Sequence, residues 1–136
     1  MMDNPDVPPS NEELCEEVLA TLRDIVGDDD PAFLTALLES YLNTAPALMA
    51  HLEETYRRGD VREVGHVAHS LKSSSAMIGC SAFSSLCGDV EETCRSGQVD
   101  MQTLAANIQT IRTAYSDVEE ALEMLLRYFG KKPGEV

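Results

Sequence analysis

His69, Lys72 and Ser73 are the residues whose types and spacing suit chemistry on an anionic group. At about 100° per residue, Val61, Val64, Ala68, Leu71, Ser75 and Ile78 fall on one face of a helix, with Val67 at its edge. His69 lies about 140° from the centre of that stripe, beside Arg62, His66 and Ser73, so its imidazole is predicted to face solvent. Lys72 and Ser73 follow it by three and four residues, the spacings that bring side chains together on one helix surface. An exposed imidazole is a nucleophile near neutral pH, and an ammonium one turn away suits the charge of a transferred phosphoryl group. The same pair also occurs on ordinary solvated helix faces, so spacing alone leaves a plain surface as the alternative.

The motif extends beyond these three residues. The run His69-Ser-Leu-Lys72-Ser-Ser-Ser, then Gly79, then Phe83-x-x-x-Cys87-x-x-Val90-Glu91 resembles the signature of histidine phosphotransfer (HPt) domains. That signature reads H-x-L-K-G-S-[SA], a Gly six or seven residues after the Lys, then L-x-x-x-C-x-x-L-E. The resemblance implies a four-helix bundle whose exposed histidine takes a phosphoryl group from one receiver-domain aspartate and passes it to another. It implies His69 as phosphoacceptor, Lys72 as the phosphoryl-stabilising cation and Glu91 as a polar residue touching the histidine ring. Arg62, Gly65, His66 and Ala76 are the expected receiver-docking positions. Ser73 departs from the pattern, standing where the family usually has Gly. It is still small, and its hydroxyl is available to the phosphoryl group. The implied partners are response-regulator receivers and a hybrid sensor histidine kinase, with no cofactor on this chain and Mg²⁺ on the receiver.

Several helices must position this stretch. Residues 1–9 carry three prolines and read as a flexible lead, residues 10–130 as the helical bundle and residues 131–136 as a short tail. Ser10-Asn-Glu-Glu13 is a capping box, Leu14, Val18, Leu22 and Ile25 form the apolar stripe of a short first helix, and Gly27 ends it. Asp30 and Pro31 open a second helix, whose stripe runs from Phe33 through Leu37, Leu38, Tyr41, Leu42, Leu48, Met49 and Leu52 to Tyr56. Its internal Pro46 predicts a kink rather than a break, because the apolar phase resumes after it. Asp60-x-x-Glu63 reads as a second capping box opening the histidine helix, which Gly79 closes. Gly65 within that helix costs about 1 kcal/mol relative to Ala, which fits either docking space or no role. A fourth helix over about 81–96 buries Phe83, Cys87, Val90 and Cys94; the short Gly79 connection makes it antiparallel to the third and brings Glu91 back toward His69. Asp100 caps a long last helix with apolar residues every three or four positions from Met101 to Phe129. The fold class is therefore all-α, an antiparallel four-helix bundle with an additional short N-terminal helix.

Composition narrows the function. A formal charge of −14 disfavours nucleic acid as a partner. Arg57, Arg58, Arg62, Lys72 and Arg95 are nevertheless expected near the histidine, as a basic patch for an acidic receiver or as a scattered solvated surface. No apolar run approaches the ~20 residues of a membrane span and no signal peptide is legible, so a cytoplasmic protein without membrane contact is expected. Cys80, Cys87 and Cys94 recur every seven residues, too far apart on one helix for a shared metal or a disulfide, and with Cys15 read as small core residues. No nucleotide-binding loop is present, so an autokinase is not expected and the protein reads as a relay intermediate rather than an enzyme. Two other readings stand beside it. One is an adapter that binds receivers or kinases without transfer. The other is a metal-binding bundle using Glu63-x-x-His66, which lacks the second such pair that site needs. His66 is a rival acceptor without a Lys three residues on, and His51 reads as surface.

Overall fold

The computed structural model describes residues 9–27 and 29–129. Five helices follow one another: α1 (Asn11–Val26), α2 (Pro31–Arg57), α3 (Val61–Met77), α4 (Ser81–Arg95) and α5 (Met101–Phe129). The expected lead over most of residues 1–9 and the tail at 131–136 lie outside the described residues.

Helix starts follow the capping chemistry. Ser10 accepts from the Glu13 amide while the Glu13 side chain accepts from the Ser10 amide, completing the capping box of α1. Asp30 accepts from Phe33 N at the start of α2, and Asp100 from Gln102 N at the start of α5. At α3 only half of the expected box forms. Asp60 accepts from Glu63 N, but the Glu63 carboxylate turns toward His51 and His66. α2 continues unbroken through Pro46.

α2, α3, α4 and α5 pack as a ring in chain order, each against the next, with α5 closing on α2. Neighbours run antiparallel. In the buried core the Tyr41 hydroxyl pairs with Ser75 Oγ at 2.7 Å between α2 and α3, which accounts for a serine on the core stripe. Phe83 of α4 packs on Tyr115 of α5 with ring centroids 5.7 Å apart. α1 lies mainly against α5, where the Cys15 thiol donates to the Ala121 carbonyl, and covers the α3–α4 turn. This is the all-α bundle with an extra N-terminal helix that the apolar periodicity predicts.

Three stripe assignments need correction, the first being Met101, which is 39% exposed because the buried stripe of α5 begins one turn later at Leu104. Phe33 is 51% exposed and Leu34 takes the core position instead. Spacings from Leu34 through Leu38, Tyr41, Ala45, Met49 and Leu52 hold one face, whereas Phe33 falls about 100° off it. Ile25, in the last turn of α1, is 60% exposed, because the buried stripe of that helix ends at Leu22. Among the described residues no helix is long and apolar enough to cross a membrane.

Candidate functional site

α3 and α4 make the most extensive helix pair in the molecule, and the site lies along their seam. The turn between them holds Gly79 at φ +92°, a conformation that L side chains rarely adopt. A Cβ there would also run into Thr21 and the Glu17 carbonyl of α1, so the motif glycine permits both the turn and the packing of α1 over it. The antiparallel register then sets 65 against 94, 69 against 91 and 72 against 84 and 88.

Glu91 is the centre of this arrangement. Its side chain is only 6% exposed, and its two carboxylate oxygens meet three nitrogen donors. Lys72 Nζ lies 2.7 Å from Oε1. His69 Nδ1 lies 2.8 Å and an Arg95 guanidinium nitrogen 2.5 Å from Oε2. Hydrogen bonding from Lys72, joined by that from His69, lowers the Glu91 pKa below 4.5 against the opposing effect of burial. An ionised carboxylate only accepts hydrogen bonds, so Nδ1 of His69 must carry a proton. In the neutral ring the lone pair is then on Nε2. The His69 side chain is 57% exposed, as its place opposite the core stripe predicts.

Lys72 is held along its whole length. Ser84 Oγ donates to its carbonyl at 2.8 Å. A Cβ on Gly88 would stand 3.2 Å from Lys72 Cδ, so the glycine leaves room for the methylene stem to cross α4. The ammonium therefore reaches Glu91 rather than projecting freely beside His69.

A solvent-open hollow of about 420 Å³ adjoins the histidine, lined by Arg62, Gly65, His66, His69, Glu91, Cys94 and Arg95. Four of the expected docking and site positions on α3 thus share one concave surface with Glu91. Ser73 and Ala76 are exposed but lie beyond its lining. Of the expected basic patch, Arg62 and Arg95 line the hollow and Lys72 joins through Glu91. Arg57 instead faces Glu54 on α2, and neither it nor Arg58 lines the hollow. Gly65 has a nearer neighbour than any docking partner: a Cβ there would stand 3.1 Å from Cys94 Cβ, so the glycine sets the close approach of α3 to α4. The sequence predicts Arg95 near the histidine but not on Glu91, and it assigns no site role to Ser84, Gly88 or Cys94. Only Arg95 had a usable signal, its i, i+4 relation to Glu91.

Glu63 and the other described chemistry-bearing residues do not extend the site into a metal centre. Glu63 and His66 sit on the outer surface, their side chains 42% and 65% exposed, with His51 Nε2 3.9 Å from the same carboxylate. Among the described residues no group of three or more His, Cys, Asp or Glu side chains is arranged to hold a metal ion. All four cysteines are free thiols, and burial pushes Cys80 and Cys87 up to about 12, which suits inert core residues.

A family model described as "Hpt domain" matches residues 36–127, from the first half of α2 to near the end of α5. No curated protein and no solved structure matches the chain.

Proposed function

The chain belongs to the Hpt domain family, and from that premise we propose that it is a phosphorelay intermediate in which His69 carries the phosphoryl group. The observation that carries the reading is the 2.8 Å contact from His69 Nδ1 to a buried carboxylate. It fixes the tautomer and leaves Nε2 as the nucleophile. Nε2 attacks the phosphorus of a receiver's aspartyl phosphate in line. The N–P bond forms as the acyl P–O bond breaks, and the aspartate leaves as a carboxylate. The Nδ1 proton stays on the ring, where Glu91 balances the positive charge that develops.

Lys72 carries three N–H donors and uses one on Glu91, so it has donors to offer the three phosphoryl oxygens. Reverse transfer to a second receiver follows the same path backward. Ser73 and Ala76 flank His69 on the side away from the hollow and take part in receiver docking, as do Arg62, Gly65 and His66 within it. The chain itself needs no nucleotide for these steps. The receiver contributes its own Mg²⁺, and the kinase supplies the phosphoryl group upstream.

The test is transfer from a phosphorylated receiver domain to the wild type, His69→Gln and His66→Gln, followed under conditions that preserve acid-labile phosphohistidine. Label is expected on the wild type and on His66→Gln, and none on His69→Gln. Receiver binding without any transfer would replace this reading with that of a non-transferring adapter.

A further inference from the structure

Glu91 has one donor more than it has oxygens. His69 Nδ1 and Arg95 share Oε2, while Lys72 alone holds Oε1. A carboxylate so poorly hydrated needs a counter-charge at every stage of the reaction. Lys72, however, is the cation that must turn toward an incoming dianionic phosphoryl group, and while it does so its hold on Glu91 weakens. Without a second cation the buried carboxylate would be left facing that dianion, and Lys72 would be drawn back to it. Arg95 is i+4 from Glu91 on the same helix, its side chain is 68% exposed, and it has no route to Glu91 that depends on α3. It remains on Oε2 whatever Lys72 does.

We propose that Arg95 is a positioning residue that acts through Glu91, holding Oε2 against His69 Nδ1 and freeing Lys72 for the phosphoryl group. This rests on the phosphotransfer reading above. The other polar side chains lining the hollow are Arg62, His66 and the neutral Cys94 thiol, and none of them makes a hydrogen bond or ion pair with the Glu91 carboxylate, which is held by the three donors alone. Arg95 thus supplies from α4 what a second lysine on α3 would otherwise have to supply.

A double-mutant cycle tests it, with two readouts on each protein: the rate of transfer from a phosphorylated receiver, and ¹⁵N NMR of the His69 ring. Arg95→Gln is expected to slow transfer about tenfold and to weaken the Nδ1–H signature, and Arg95→Lys to restore most of both. In a Glu91→Gln background, which lacks the charge Arg95 neutralises, Arg95→Gln is expected to change neither. A loss of equal size in both backgrounds would mean that Arg95 touches the phosphoryl group or the receiver directly, and would overturn the proposal. So would an Arg95→Gln protein that matches the wild type in both readouts. Because Arg95 is exposed, the variants should fold, and circular dichroism checks that they do. Should the wild type accept no phosphoryl group, the phosphotransfer reading fails by itself, while the NMR cycle still decides whether Arg95 orders His69 through Glu91.

Discussion

Gly79 lies where the family motif, the α3–α4 turn and the packing of α1 coincide, and Gly79→Ala separates their contributions. Its φ of +92° puts an alanine in the left-handed region, at a cost of about 1–2 kcal/mol. The new Cβ would also stand 2.8 Å from Thr21 Cβ and 3.0 Å from the Glu17 carbonyl. One of these is backbone, and Thr21 is held by its own hydrogen bond to Glu17 O, so relief requires α1 to shift. Overpacking of this kind costs about 1–3 kcal/mol. Lower entropy of the unfolded chain offsets about 0.4–1 kcal/mol, leaving a net loss of about 2–4 kcal/mol.

Gly59 provides the control. It has φ +71° with no atom within 4 Å of where a Cβ would stand, so Gly59→Ala carries the backbone cost alone, about 1 kcal/mol after the same offset. Urea denaturation of both variants should therefore give midpoints well separated from each other, with Gly79→Ala the weaker by about 1–3 kcal/mol. Equal losses would refute the claim that α1 packs against this turn, and the motif glycine would then be explained by the turn alone.

Four further outcomes follow from the same geometry. Pro46→Ala should stabilise the protein by about 1–2 kcal/mol in urea denaturation, since an interior proline lacks an amide and crowds the preceding turn of α2; a loss would mean that the ring itself is needed for packing. Lys72→Ala should lower transfer from a phosphorylated receiver about a hundredfold with unchanged helicity by circular dichroism, because Lys72 is the cation assigned to the phosphoryl group. Ser73→Gly should leave the transfer rate within about threefold of wild type, and a tenfold rise would identify Ser73 as an obstruction to the receiver. The lowered Glu91 pKa means that the unfolded chain binds a proton there more readily than the folded one, so the stability Glu91 provides is complete above its ordinary 4.5 and fades as pH falls through its native value; the stability gap between wild type and Glu91→Gln should narrow on acidification, and a gap that widened would contradict the assignment.

Much of this is legible in the amino-acid sequence. Capping residues locate the starts of α1, α2, α3 and α5, and the periodicity of α3 puts His69 outside and Ser75 inside because a helix has one face to bury. What the sequence leaves open is which part of each helix its neighbours cover and in what register they pack. Phe33 is as apolar as Leu34 but lies about 100° off the buried face of α2, and Ile25 lies beyond Leu22, where the buried stripe of α1 ends. Gly65 suggests, by its place one turn before His69, docking space or no role; it lines the hollow, and its close approach to Cys94 on α4 is set by how the two helices pack. Glu63 fits a capping box by spacing, but His51 of α2 and His66 lie near its carboxylate instead. Lys72 is legible as a cation near His69; that it rests on Glu91, over Gly88 and beneath Ser84, depends on the register of two helices.

That register also explains how a chain of net charge −14 can present a site for an anionic group. At physiological ionic strength charges beyond about 8 Å are largely screened, so the acidic exterior matters less to the phosphoryl group than the side chains around His69. There Lys72, Arg95 and Arg62 outnumber the one carboxylate. In the proposed reaction the carboxylate is nevertheless what would make the histidine a directed nucleophile, because an acceptor-only group on Nδ1 selects the tautomer that an amide, able to donate or accept, would leave open. Its negative charge weakens the attraction for phosphate, and the second cation on the same carboxylate restores it. A buried Glu at 91 and an Arg one turn later on α4 are thus parts of one solution, in which orientation of the imidazole and a net positive site are obtained together.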